Sequence, residues 1–304
     1  MRIKVETEQK YYCNNSKELI KKLRELKFKE LKVKKESDEY FTDIDSEYIK
    51  NRTCLRIRKT NDNEMEITFK GKSASLLGQY CKLENNIKTS IDEYNNFISL
   101  FTSLGFYSYV TVEKERYTFE KTKGKYKYSV MIDNLPNIGG FVEFEIISNQ
   151  ENSKESELKE ELNNFVSQFN YLKLKEETRP YRDVVASSIY DRKDKIKYVY
   201  INLDKFLSKY KQGLVFDNKE LLVTMKLLSK IPGEKYFITK LSKEFIKEFF
   251  DKLNLKFNNI ICDDKNTDLQ LVKSRHNNLD NVLLLKEKTL KELNSLLLII
   301  INNE

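Results

Sequence analysis

Glu6, Glu8 and Lys10 occupy alternate positions in the opening stretch VETEQKYYC. In an extended strand they share one face, each about 7 Å from the next. The same spacing returns along the chain. Arg56 and Arg58 alternate in CLRIRK, Lys70 and Lys72 flank a glycine in ITFKGK, and Lys82 and Glu84 alternate in CKLENN. Lys114 and Arg116 follow in VEKERY, and Glu143 and Glu145 in GFVEFEI. One such pair is ordinary solvated sheet surface. Repeated on successive strands that curl into an antiparallel barrel, the pairs line an interior with bases from the middle strands and acids from the first and last. Lys and Arg neutralise phosphates, whereas four clustered carboxylates repel one another unless a divalent cation lies between them. A triphosphate with a metal ion meets both demands. No Walker-type glycine loop or Rossmann fingerprint is present, so phosphate binding needs a different solution.

The elements that must hold these residues can be read from periodicity. Alternating or β-rich runs cover 2–13, 31–43, 52–59, 64–71, 79–88, 107–119, 125–133 and 139–148, about eight strands. Ser16 opens a predicted helix through Phe28, with Leu19, Ile20, Leu23 and Leu26 as its apolar stripe. A second spans 92–104, with Gly105 suited to a left-handed cap, and amphipathic segments follow at 153–171 and 180–189. The expected fold class of residues 1–190 is α+β, an eight-stranded antiparallel barrel tunnel with flanking helices. A charged link near 190–196 precedes strands at 198–202, 236–239, 259–262 and 282–285. Helices near 218–230, at 242–254 and at the C-terminus alternate with them. That order implies an α/β domain with a parallel sheet over 197–304.

The 304 residues hold one histidine, which removes most His-based acid–base and metal chemistry and leaves carboxylates as ligands for hard ions such as magnesium or manganese. Four isolated cysteines, with no CxxC pair, predict free thiols. The net charge of +8 permits a polyanionic partner, an RNA end included, and equally reflects a Lys-rich composition. No apolar run approaches eighteen residues, and acids interrupt the N-terminus, so no membrane association and a cytoplasmic location are expected.

Together the motifs resemble the CYTH superfamily of triphosphate tunnel metalloenzymes. Glu6-Thr7-Glu8-Gln9-Lys10 resembles its ExExK signature, SDEYFTD its DTYFD-like strand, LRIRK its LRIR, and TFKGK its TxKGP. KLENN, VEKER, MIDNLPNIGGFVEFEI and the trailing RPYRDVV follow in the family's order, so that the resemblance covers about residues 1–189. It implies that Glu6, Glu8, Glu143 and Glu145 hold Mg2+ or Mn2+. It also implies that Lys10, Arg56, Arg58, Lys70, Lys82, Lys114 and Arg116 grip a triphosphate. Asp133 would orient one of the bases or join the metal side, Tyr181 would close one tunnel mouth, and Lys72 would be peripheral. Two departures stand out: Lys82 where Arg is common, and Asn86 where a second Glu often lies. The implied activity is metal-dependent hydrolysis of a triphosphate compound (tripolyphosphate, thiamine triphosphate or a nucleoside triphosphate). The alternatives are cyclisation of ATP to cyclic AMP, an RNA 5′-triphosphatase, and a non-catalytic polyphosphate sensor.

The C-terminal part resembles the haloacid dehalogenase-like Rossmannoid fold. That family opens with a DxD nucleophile motif, and the matching positions read Asn202-Leu203-Asp204. An amide forms no aspartyl-phosphate, which implies a non-catalytic copy. Thr239 and Lys273 match its next motifs, Asp263-Asp264 reads as turn chemistry, and His276 is expected to be solvated.

Overall fold

In the computed structural model, residues 6–13, 15–60, 64–71, 74–76, 79–81, 84–148, 155–190, 195–204, 219–252, 259–263, 266–276, 279–287 and 289–302 are described. They divide into two units. The first comprises Met1–Thr42, Glu47–Leu104 and Val110–Ser188, and the second Asp43–Ser46, Gly105–Tyr109 and Ile189–Glu304.

The first unit is built on strands β1 (Glu6–Tyr12), β2 (Lys29–Glu30), β3 (Lys34–Asp43), β4 (Cys54–Thr60) and β5 (Glu64–Lys70). A separate hairpin, β6 (Ala74–Leu76) and β7 (Gln79–Cys81), precedes β8 (Glu84–Ser90), β9 (Phe106–Lys123), β10 (Tyr126–Leu135), β11 (Gly139–Ser148) and β12 (Lys175–Glu176). The ten-stranded sheet runs β12-β1-β11-β10-β9-β3-β4-β5-β8, with β2 added beside β9. Its pairings, β1 with β11 and β4 with β5 among them, are antiparallel. Among the described residues β8 and β1 are not hydrogen-bonded to each other, so the path has two ends. The run expected at 79–88 is divided between β7 and β8, with Lys82 and Leu83 outside the described residues.

Helices α1 (Ser16–Glu25), α2 (Glu47–Lys50), α3 (Tyr94–Ser103), α4 (Glu155–Ser167) and α5 (Tyr181–Ile189) flank this sheet. Strand alternation explains the core. Val142, Phe144 and Ile146 of β11 are fully buried against Leu19 and Leu23 of α1 and Leu162 and Phe165 of α4. Glu143 and Glu145, between them, must project from the opposite face. The Phe144 ring meets Phe165 edge-on at 5.8 Å and Phe169 at 5.2 Å. After α3, Gly105 takes φ +87°, the left-handed turn that lets the chain leave the helix for β9.

In the second unit β13 (Tyr198–Asn202), β14 (Glu234–Thr239), β15 (Ile260–Cys262) and β16 (Val282–Leu285) form a sheet in the order β15-β14-β13-β16. Its pairings are parallel. Helices α6 (Lys219–Lys230), α7 (Lys243–Lys252), α8 (Asp268–Arg275) and α9 (Leu290–Asn302) accompany it. Helix α8 is not among the elements expected from the sequence. Among the described residues no helix is long and apolar enough to cross a membrane.

The β1–β11 seam depends on a close approach of backbone. Cys13 N–H donates to the Gly140 carbonyl at 2.9 Å, and a Cβ on Gly140 would stand 2.6 Å from the Cys13 carbonyl oxygen. Gly140→Ala should therefore force the seam apart and cost about 2 kcal/mol, read as a lower midpoint in denaturant unfolding.

Candidate active site

The register of β1 on β11 sets Glu8 opposite Glu145 and Lys10 opposite Glu143. Glu6 lies one step further along the same face of β1, opposite Ile147, and its side chain lies outside the described residues. One acid and one base of β1 thus stand opposite two acids of β11.

Next along the face stands Arg116 of β9, opposite Asp133 of β10. Its Nε and Nη2 donate to the two Asp133 oxygens at 2.7 and 2.5 Å, and Nη2 also reaches Glu143 at 2.6 Å. Asp133 is fully buried. Burial opposes its ionisation, but the charge and hydrogen bonds of Arg116, with Lys114 beyond, outweigh that and hold its carboxyl below the ordinary range. The Arg116 guanidinium is half-buried; desolvation opposes its charge, but Asp133 and Glu143 outweigh that and drive its pKa well up.

A second cluster forms on β3 and β4. Asp38, fully buried and opposite Arg58 in register, accepts from Arg58 Nε at 2.6 Å and Nη2 at 2.8 Å. Lys114 Nζ lies 3.3 Å from both Asp38 and Glu36, Arg58 lies 3.3 Å from Glu36, and Arg56 Nη1 lies 3.6 Å from Asp38. Desolvation disfavours the Asp38 anion, yet Lys114, Arg58 and Arg56 together push its pKa well below the usual carboxylate value. Arg56 Nη2 donates to Thr68 Oγ1 at 3.1 Å, while its buried Nε has no hydrogen-bond partner among the described residues.

Lys70 pairs with Glu84 at 2.8 Å, and Asn86 donates to the same carboxylate at 2.9 Å. These two contacts outweigh the partial burial of Glu84 and lower its pKa. Lys82 and Lys72 lie outside the described residues.

Tyr181 joins the two clusters. Lys10 Nζ stands 4.3 Å and Lys114 Nζ 5.2 Å from the centre of its ring, although β1 and β9 are separated by β11 and β10. Burial, and then the charges of Glu143 and Asp133, raise its phenol far above the normal range. Pro180 and Tyr181 follow a short strap. Lys10 Nζ donates to the Arg179 carbonyl, Glu177 N–H donates to the Lys10 carbonyl at 2.8 Å, and Tyr12 and Arg179 both donate to the Glu177 carboxylate at 2.6 Å. Burial lowers the Lys10 pKa, and Glu143, Glu177 and Glu8 oppose that only in part.

The face therefore gathers Lys10, Glu143, Arg116, Asp133 and Tyr181 into one cluster and Arg56, Arg58 and Lys114 into a neighbouring one. Lys70 is engaged by Glu84. Sequence reasoning passed over Asp38, Glu36, Glu177 and Thr68. Asp38 was available in SDEYFTD, where it counted only as part of a strand. Among the described residues no group of three His, Cys, Asp or Glu stands close enough to hold a metal ion. The donors on the β1–β11 face are nevertheless hard carboxylates, the kind that suits magnesium or manganese.

In the second unit Asn202 Nδ2 donates to Asp268 at 2.8 Å. Both Asp204 oxygens are taken, by the Thr239 hydroxyl at 2.6 Å and the Lys240 N–H at 2.9 and 3.0 Å. His276 is not solvated as expected. Its ring lies 4.1 Å from that of Tyr198, and its Nε2 is 2.7 Å from the Tyr200 hydroxyl, because β13 brings both tyrosines to the end of α8.

The first unit is thus an antiparallel sheet with flanking helices and one densely charged face. The family model for the CYTH domain matches residues 4–181, more than half of the chain, and the chain belongs to that family. A Methanocaldococcus jannaschii protein, provisionally named an adenylate cyclase, is 27% identical over 156 residues, 51% of this chain and 85% of that protein. A Pyrococcus horikoshii structure aligns at 24% identity and TM-score 0.47, over 60% of this chain and 99% of its own. A Hippeastrum structure, of a protein provisionally named an adenylyl cyclase and described as having dominant triphosphatase activity, aligns at 14% identity and TM-score 0.46. It covers 60% of this chain and 96% of its own.

Arg116→Gln should strand the buried Asp133 anion and cost about 3 kcal/mol, while adding Asp133→Asn should restore part of the loss. The sign of the pH effect follows from the depressed pKa values of Asp133 and Asp38. Their contribution is present above the unfolded value near pH 4 and is lost as pH falls toward the folded values. Thermal melting of the native chain should hold steady from about pH 7 to 5 and drop below about pH 4, with a shallower acid limb in the double variant.

Proposed function

We propose that the chain is a metal-dependent phosphohydrolase acting on a triphosphate compound (tripolyphosphate, thiamine triphosphate or a nucleoside triphosphate). The reading includes closure of strands β1, β11, β10, β9, β3, β4, β5 and β8 into an eight-stranded tunnel. The observation that carries it is Arg56. A buried guanidinium N–H with no partner among the described residues, beside Arg58 and Lys114, calls for an acceptor from outside, and phosphate oxygens are the acceptors that such donors match.

Glu6, Glu8 and Glu145 would hold magnesium or manganese, whose chemistry when bound is to neutralise phosphate oxygens and acidify a coordinated water. Glu143 is shared with Arg116 and would steady that guanidinium against the anion. Lys10, Arg56, Arg58, Lys70, Lys82, Lys114 and Arg116 would bind the chain of phosphates and stabilise the charge that spreads over the transferring phosphoryl group. The Tyr181 ring would cover the Lys10 side and limit access of water.

Cyclisation of ATP is the second reading, favoured by the name of the Methanocaldococcus relative. It uses the same wall and differs in which phosphorus lies in line with which nucleophile. An RNA 5′-triphosphate would meet the same donors. The second unit, read as a haloacid dehalogenase-like Rossmannoid fold, is taken as non-catalytic, since Asn202 stands where a nucleophilic Asp is required.

Incubation of tripolyphosphate, ATP and thiamine triphosphate with magnesium or manganese should release orthophosphate, and Glu8→Gln should reduce release at least a hundredfold. Cyclic AMP as the main product from ATP would replace the hydrolase reading with the cyclase one. Phosphate release surviving Glu8→Gln would move the chemistry elsewhere in the chain. The lowered Lys10 pKa also sets an alkaline limb. Charge at Lys10 is lost at lower pH than for an ordinary lysine near 10.4, so kcat/KM should fall early on the alkaline side and Lys10→Arg should move that limb upward.

A further inference from the structure

The basic wall carries its own counter-charge. Arg56, Arg58 and Lys114 come from two strands, and all three converge on one carboxylate, Asp38, with Glu36 at the side. Asp38 has no exposed surface and is held among these cations. We propose that Asp38 is a positioning residue, which fixes the Arg58 fork and the Lys114 ammonium for phosphoryl transfer at the cost of ground-state affinity for the polyanion; this rests on the triphosphatase reading.

Three features carry the assignment. The contact to Arg58 uses both carboxylate oxygens and two guanidinium nitrogens, a planar geometry that sets the direction of the remaining N–H groups. Asp38 and Arg58 are direct cross-strand partners, so the fork is anchored in backbone register rather than in a loop. Three cations also share two carboxylates, which leaves less net positive charge for a phosphate chain than the cations alone would offer. Removing the Asp38 charge should therefore have opposite effects on binding and catalysis. The wall becomes more positive, and its donors lose their fixed direction.

The test is Asp38→Asn, which keeps the size of the side chain. Tripolyphosphate affinity is measured by calorimetry in chelator, without divalent metal, and kcat and KM are measured with magnesium. The expected result is binding tightened at least threefold with kcat lowered at least tenfold. A purely structural role would lower affinity, kcat and melting temperature together, and that pattern overturns the proposal, as does an affinity and kcat both unchanged. If Asp38→Asn does not fold, Arg58→Lys keeps the charge and removes the fork. Affinity held within twofold with kcat down tenfold supports the proposal, and proportional loss of both overturns it. A native protein that binds tripolyphosphate without hydrolysing it removes the hydrolase reading and the proposal with it, whereas a native protein that hydrolyses it while Asp38→Asn shows neither change overturns the proposal alone.

Discussion

The pairing of β1 with β11 is the constraint on which the site depends. Glu8 meets Glu145 and Lys10 meets Glu143 only in the register observed. Val142, Phe144 and Ile146 on the reverse face pack into the core with α1 and α4. A slip of one residue would turn three apolar side chains toward the charged face and the acids into the core, so the hydrophobic packing on one side fixes the charge arrangement on the other. The close contact at Gly140 tightens the same seam.

Concentrating cations on one face is costly unless anions hold them, and the first unit answers with two buried carboxylates in different surroundings. Asp133 is paired with a single guanidinium that also serves Glu143. Asp38 is surrounded by three cations. Both stay ionised because the Coulomb gain exceeds the loss of hydration, a balance that holds only while each fork is intact. The donors of the wall are therefore held in fixed directions by these carboxylates.

Much of this was legible in the sequence because alternation survives wherever one face of a strand is apolar and the other charged, as in GFVEFEI and VETEQKYYC. It failed on β3. Glu36, Asp38, Glu39, Tyr40, Phe41 and Thr42 are all buried, so acids occur on both faces and no period marks Asp38 as inward. Helix α8 was missed for a related reason. Its apolar content is little more than Leu269, Leu271 and Val272, and its real signal was the capping box of Thr267 and Gln270. His276 could not be placed at all, since its partners Tyr198 and Tyr200 lie more than seventy residues away.

Two sets of polar side chains, one in each unit, are satisfied in different ways. At the ends of β13 and β14, Asn202 is taken by Asp268, and Asp204 is taken by Thr239 and Lys240. Those bonds close the loops on each other and spend the very groups that a phosphoryl-transfer site would present. In the first unit the bonds are also numerous, but they converge on a face where the Arg56 Nε remains buried without a partner among the described residues. An unmet buried donor costs about 1–3 kcal/mol, which a phosphate oxygen would recover under the proposed function. The Asn202 and Asp204 bonds of the second unit instead hold its own loops to one another.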